Sequence, residues 1–149
     1  MADRPRLILL LNSAQRKLQQ WMTSQQAWPT GAGGQAPSSA QSGVLFALAK
    51  ADGTTMGQLA EALDLAPSAV SGLIQRMEAL HWVQRRPCPS DARTQRVWLL
   101  DPGRTQLPAL KQALKRVNAR LHDGFSDEEL HTVARWLRHV QHLDDHPSH

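Results

Sequence analysis

Residues 55–80 constrain the fold more than any other stretch of the chain. Thr55 precedes a short amphipathic run in which Leu59, Ala60 and Leu63 share one helical face. Gln58 stands three residues after Thr55, a spacing that lets its side chain reach back to the Thr55 amide and complete a capping box. Asp64-Leu65-Ala66 leaves room only for a tight connection, and Pro67 or Ser68 opens a second helix that runs to about Leu80. In that helix Val70, Leu73, Ile74 and Met77 form a buried stripe. Ser68, Ala69, Ser71, Gly72, Gln75 and Arg76 are left on the outward face. Two helices of this size across so short a turn are the signature of a helix-turn-helix.

The period then changes from helical to alternating. Residues 82–86 and 95–100 carry the Trp, Val and Leu content of two strands. Between them Pro87 to Thr94 is polar and holds two prolines, which predicts a β-hairpin with a tip longer than a two-residue turn. Helix, turn, helix and hairpin in this order make a winged helix-turn-helix. The expected fold class is mainly α with a small β-hairpin.

Longer helices flank this middle. Leu7, Leu11, Ala14, Leu18 and Trp21 recur at spacings of four and three within a helix over 5–27. Pro29 to Ser39 is a Gly/Pro/Ser-rich linker. Ser39 is expected to cap a helix over 40–51, which Asp52-Gly53 ends. Asp101-Pro102 supplies a capping carboxylate and a first-turn proline for a helix striped by Leu107, Leu110, Leu114, Val117 and Leu121. Pro108 inside it implies a kink or a later start. Ser126 and the acidic turn after it open a last helix striped by Leu130, Val133, Leu137 and Val140, and a frayed tail follows from His142. The division expected is a helical dimerisation region over 1–27 and 104–149 and a DNA-binding lobe over 28–103, with the linker at about 29–39. Three stripes at coiled-coil spacing offer more apolar surface than so small a lobe can cover, and a second copy would bury them.

Charge agrees with a polyanionic partner. The 149 residues carry 17 Lys+Arg against 13 Asp+Glu, net +4. Within 67–104 the bases are all arginine: 76, 85, 86, 93, 96 and 104, against Glu78, Asp91 and Asp101. The planar guanidinium matches phosphates and guanine edges better than an ammonium does. The small outward residues Ser68, Ala69, Ser71 and Gly72 let a helix backbone approach a groove floor. Gln75 and Arg76 supply long donors, Arg93 at the hairpin tip suits a narrow groove, and Asp91 is placed to orient a neighbouring arginine or amide. Arg85, Arg86 and Arg96 suit phosphates or a solvated hairpin edge, and Thr55 suits a cap that also meets a phosphate.

At these residues the chain resembles the multiple-antibiotic-resistance regulator (MarR) family of transcription factors. The resemblance rests on Thr55 to Ala60, on Ser68 to Glu78, on Val83, Arg85, Asp91-Ala92-Arg93, Val97 and Leu99 in the wing, and on Gly103. His81-Trp82 stands where a Gly-Leu pair is common. Leu100 stands where a threonine cap is usual, and Asp101 is expected to take over that task. The resemblance implies a homodimer that binds a pseudo-palindromic double-stranded operator, usually as a repressor, and is released by a small phenolic or aromatic acid.

Other features admit rival uses. Arg16, Trp21 and Trp28 are candidates to line an effector pocket, as is Trp136, although apolar helix residues also serve as core. His122 and His131 are undecided in the same way. The lone cysteine, Cys88, excludes an internal disulfide framework and a multi-cysteine zinc site. With Arg85 and Arg86 nearby it suits a redox sensor. His139, His142 and His146 have metal-compatible spacing but also suit a polar tail. No metal or cofactor is expected. Two alternatives to the DNA-binding reading follow: a winged-helix protein-interaction module, and a metal- or redox-responsive regulator. No Gly-rich phosphate loop or Ser/His/Asp arrangement is found, so an enzyme is not expected. The Leu7–Leu11 run is too short for a membrane span or a leader core, and the expected compartment is the cytoplasm.

Overall fold

The computed structural model describes residues 4–24 and 37–145. The chain forms two compact units, Met1–Ala113 and Leu114–His149. Among the described residues the order is α1 (Leu7–Ser24), α2 (Ser39–Lys50), β1 (Thr54–Thr55), α3 (Met56–Leu63), α4 (Pro67–Ala79), β2 (Val83–Cys88), β3 (Asp91–Leu99), α5 (Asp101–Arg104), α6 (Leu107–His122), α7 (Asp127–Gln141) and a short 3-10 turn, Leu143–Asp145. The expected mainly helical fold with a small hairpin is what forms.

Local chemistry places most boundaries. Thr55 caps α3 through its hydroxyl, which accepts from the Gln58 amide at 3.1 Å, while the Gln58 side chain accepts from the Thr55 amide at 3.1 Å. Ser126 and Glu129 make the same reciprocal pair at the start of α7. At α2 the cap is Ser38 rather than the expected Ser39. Gln41 lies three residues after Ser38, so the earlier serine closes a full capping box. Asp64 ends α3 in the left-handed region at φ 52, and His81 takes φ 59 after α4. Both are polar side chains at positions that glycine would occupy without strain.

Three expectations need correcting. The hairpin has a tight tip: Cys88 pairs with Asp91, only Pro89-Ser90 turn, and an irregularity in register between Pro87 and Cys88 absorbs the prolines. Asp101 does not cap the following helix. Leu100 is the cap residue, with no side-chain bond, and Asp101-Pro102 fill the first turn. The long helix expected from there is instead α5 followed by α6, whose second residue is Pro108. The proline therefore sits where its missing amide costs nothing.

The sheet has a strand that the sequence did not reveal. β1 is two residues long and pairs antiparallel with β3, Thr54 with Val97 and Thr55 with Arg96, giving the order β1-β3-β2. The core of this unit gathers Val44, Leu45 and Leu48 of α2, Leu59 of α3, Val70, Leu73, Ile74 and Met77 of α4, the strand residues Val83, Val97 and Leu99, and Leu110. Asp52 brackets the edge. Its Oδ1 accepts from the Leu99 amide at 2.9 Å and its Oδ2 from Arg104 at 2.7 Å. Gly103 completes the junction, because a Cβ there would lie 2.2 Å from the Trp82 carbonyl oxygen.

The long helices look different. Leu7, Ile8, Leu9 and Leu10 of α1 are exposed, as are Leu114 and Leu121 of α6, Val133 and Leu137 of α7, Phe125 and Leu143. No large hydrophobic residue between 37 and 113 is exposed. No helix among the described residues is long and apolar enough to cross a membrane.

Candidate nucleic-acid interface

The outward face of α4 carries Ser68, Ala69, Ser71, Gln75 and Arg76, all exposed, with Gly72 half-buried beside them. The division follows from helical periodicity, since Val70, Leu73, Ile74 and Met77 take the opposite side into the core. The helix begins at Ala66-Pro67 with no side-chain cap, so its first-turn amides have no side-chain partner.

The wing brings a second wall to this face. Along β3 the parity of Val97 and Leu99, both buried, is shared by Gln95, and beyond it the register shift brings Arg93 and Thr94 to the same groove. Across the ladder Arg85 pairs with Val97 and Val83 with Leu99, so Arg85 lies on the same side. The core face of the hairpin thus runs out toward the tip and becomes a groove wall. A groove of about 540 Å³ results, lined by Thr55, Met56, Gly57, Ser71, Arg85, Arg93, Thr94 and Gln95. The expected residues Thr55, Ser71 and Arg93 meet there. Met56, Gly57, Thr94 and Gln95 were not foreseen. Counting alternate residues outward from Val97 would have found Gln95, whereas the α3 residues depend on β1.

The six arginines of this stretch divide by partner. Arg85 Nε donates to Glu78 Oε1 at 2.7 Å, tying β2 to α4. Arg104 is held by Asp52 at 2.7 Å, and Arg96 donates to the Gly53 carbonyl at 2.8 Å. Arg86 reaches only Gln84, at 3.1 Å on its own strand. Among the described residues Arg76 and Arg93 make no ion pair. Asp91 serves the backbone: its Oδ1 accepts from the Arg93 amide at 3.0 Å and its Oδ2 from the Thr94 hydroxyl at 3.3 Å. That holds the backbone where Arg93 leaves β3, in the stretch between Asp91 and Gln95 that the register shift leaves without ladder partners.

Cys88 lies buried where the hairpin turns, its Sγ 3.2 Å from the Ser90 hydroxyl. Hydrogen bonds from the side chains of Ser90 and Arg96 bring the thiol down from its ordinary 9.0 to about 6, against the opposing effect of burial.

The proposed effector residues are less gathered. Arg16 is exposed on α1 and Trp21 is half-buried there, while Trp28 falls outside the described residues. Of the tail histidines, His146 also falls outside them. Among the described residues no group of three or more His, Cys, Asp or Glu could hold a metal ion. In the second unit His122 and His131 line a hollow of about 290 Å³ with Asp127, Leu130, Ala134 and Arg138.

The sequence of residues 37–94 matches the model of the MarR family, and the match spans α2 to the wing. Over this stretch the chain is similar to the MarR family. Solved structures share the fold over nearly the whole chain. PcaV, a transcriptional regulator from Streptomyces coelicolor solved with its natural ligand, superposes with a TM-score of 0.73 at 20% identity, covering 94% of this chain and 92% of its own. CouR, a transcriptional repressor bound to a 23-mer DNA duplex, gives 0.73 at 22% identity and 89% of each chain. Bordetella bronchiseptica BpsR, whose DNA binding is regulated by 6-hydroxynicotinic acid, gives 0.69 at 21% identity, covering 89% of this chain and 98% of its own. No curated protein sequence matches the chain significantly. The matched stretch includes all of α4 and ends at Thr94, so it takes in Arg93.

Proposed function

We propose that the chain is a homodimeric, sequence-selective DNA-binding transcriptional regulator, a repressor released by a small aromatic or phenolic ligand. The observation that carries this reading is the pairing of an exposed small-residue face on α4 with a wing that leaves Arg93 without an ion partner beside Ser71 and Thr55. Ser68, Ala69, Ser71 and Gly72 let α4 approach the floor of a major groove, where Gln75 and Arg76 reach base edges. Arg93 and Arg86 meet the adjacent backbone or minor groove, and Asp91 holds the strand from which Arg93 projects. Arg85, Arg96 and Arg104 are already engaged within the lobe and serve its shape.

The dimer is supported by the exposed apolar residues of the long helices, Leu7 to Leu10 of α1, Leu114 and Leu121 of α6, and Val133 and Leu137 of α7, which a second copy would cover. The division of labour follows: helices of 1–27 and 104–149 for association, 28–103 for DNA. The effector is supported by what PcaV and BpsR bind, and the surroundings of Arg16, Trp21 and Trp28 are where it is sought. A gel-shift titration against DNA flanking the chain's own gene tests the reading. The parent shifts one duplex selectively, and Arg93→Ala weakens both specific and random binding, because a lost phosphate contact acts on all sequences. If Arg93→Ala binds as the parent does, the wing has no part in binding. Simple hydroxylated aromatic acids, added to the selective complex, are expected to release it.

A further inference from the structure

Gly72 sits in the sixth position of the thirteen-residue α4, on its outward face, and its φ is not in the left-handed region. A glycine inside an exposed helix weakens it relative to alanine, and here no turn or backbone strain requires one. What lies over it accounts for the residue. A Cβ at position 72 would stand 3.3 Å from Nη1 of Arg76, the one atom that it would meet within 4 Å among the described residues apart from its chain neighbours and the local helix backbone. Arg76 is four residues further along, and side chains in a helix lean toward its N-terminus, onto the residue one turn back. The guanidinium therefore lies across the Cα of Gly72, toward the N-terminal half of α4, where Ser68, Ala69 and Ser71 are exposed.

We infer that Gly72 is a specificity-determining position: by having no side chain it seats the Arg76 guanidinium along the α4 face, and so sets which base edge Arg76 reads. Among the described residues Arg76 has no ion partner, whereas Arg85 and Arg104 are held by Glu78 and Asp52. Its direction is thus set by the helix surface beneath it. A methyl group at 72 pushes the guanidinium outward by a few tenths of an ångström, and a longer side chain removes its seat. The inference rests on the DNA-binding reading, and it concerns selectivity within that reading.

The test is selection of bound duplexes from a random-sequence library by the full chain, by Gly72→Ala, Gly72→Leu and Arg76→Ala. The expected result is that Arg76→Ala loses preference at one or two base pairs of each half-site. Gly72→Leu loses it at the same base pairs by about tenfold, the size of one arginine–guanine contact. Gly72→Ala loses it there by less. Gly72→Ala melts no lower than the parent, so its change in preference is not a loss of fold. Adding Gly72→Ala to Arg76→Ala leaves the base preference as Arg76→Ala has it, since the group that the methyl displaces is gone. If Gly72→Leu selects the parent's sequence with the parent's stringency, or the two variants lose preference at different base pairs, the inference is overturned. A parent that enriches no sequence at all overturns the DNA-binding reading itself, and this inference with it.

Discussion

The lobe built from α2, α3, α4 and the wing and the long helices α1, α6 and α7 carry apolar stripes of much the same spacing, yet the chain covers the first and leaves parts of the second open. In α4 the stripe Val70, Leu73, Ile74 and Met77 is buried against the same chain. In α1 Leu7 is 45% exposed and Ile8 66%, and in α7 Val133 is 49% exposed. Periodicity identifies a helix with one dry side, but it does not say which chain supplies the other side. The lobe is self-sufficient. The long helices present apolar residues that the chain leaves exposed, and under the proposed dimer a second copy covers them.

The contrast can be broken experimentally. Ile74→Ala empties a fully buried site in the lobe and is expected to cost about 2–5 kcal/mol of unfolding free energy, read from the denaturant midpoint at constant slope. Leu137→Glu, on the exposed face of α7, is expected to leave the lobe folded and to weaken self-association by about tenfold or more, or 1.4 kcal/mol. Sedimentation over a dilution series measures it, and a mass independent of the substitution would mean that α7 takes no part in association. Thr55→Ala opens one capping box and is expected to lower stability by about 1 kcal/mol without changing the slope.

At Cys88 the contrast takes the form of a pH dependence. A thiol lowered to about 6 from 9.0 adds stability that is fully present above pH 9.0. That contribution diminishes as pH falls toward 6 and is absent below. The sign follows from the folded state binding its proton less readily than the unfolded chain does. Thiolate absorbance followed against pH is expected to show a midpoint near 6, and Cys88→Ser to flatten the stability profile across that window.

Much of the lobe was legible because its signals are local. Thr55 with Gln58, Ser126 with Glu129, and the Asp64–Ala66 turn each act within three or four residues, and the structure forms them where the spacing indicated. Errors arose where two local signals competed or where the cause was distant. Ser38 and Ser39 both suit a cap, and only the position of Gln41 decides between them. Pro87 and Pro89 suggested a long wing tip, but an irregularity in the ladder absorbs them. β1 has two residues and no pattern of its own. It exists because Val97 and Arg96, some forty residues away, present a free edge. The exposed face of α4 was legible, since its outward residues follow from period alone. On the wing the sequence supplied the arginines but not their assignments, because Glu78 and Asp52, which claim Arg85 and Arg104, are brought near only by folding.

The most direct test of DNA recognition through α4 and the wing is anisotropy titration of a selected duplex and a scrambled one, repeated across a range of salt. Selective binding by at least about a thousandfold, with affinity falling steeply and log-linearly in salt, is the expected result. Equal affinity for both duplexes, or none for either at low salt, would contradict it.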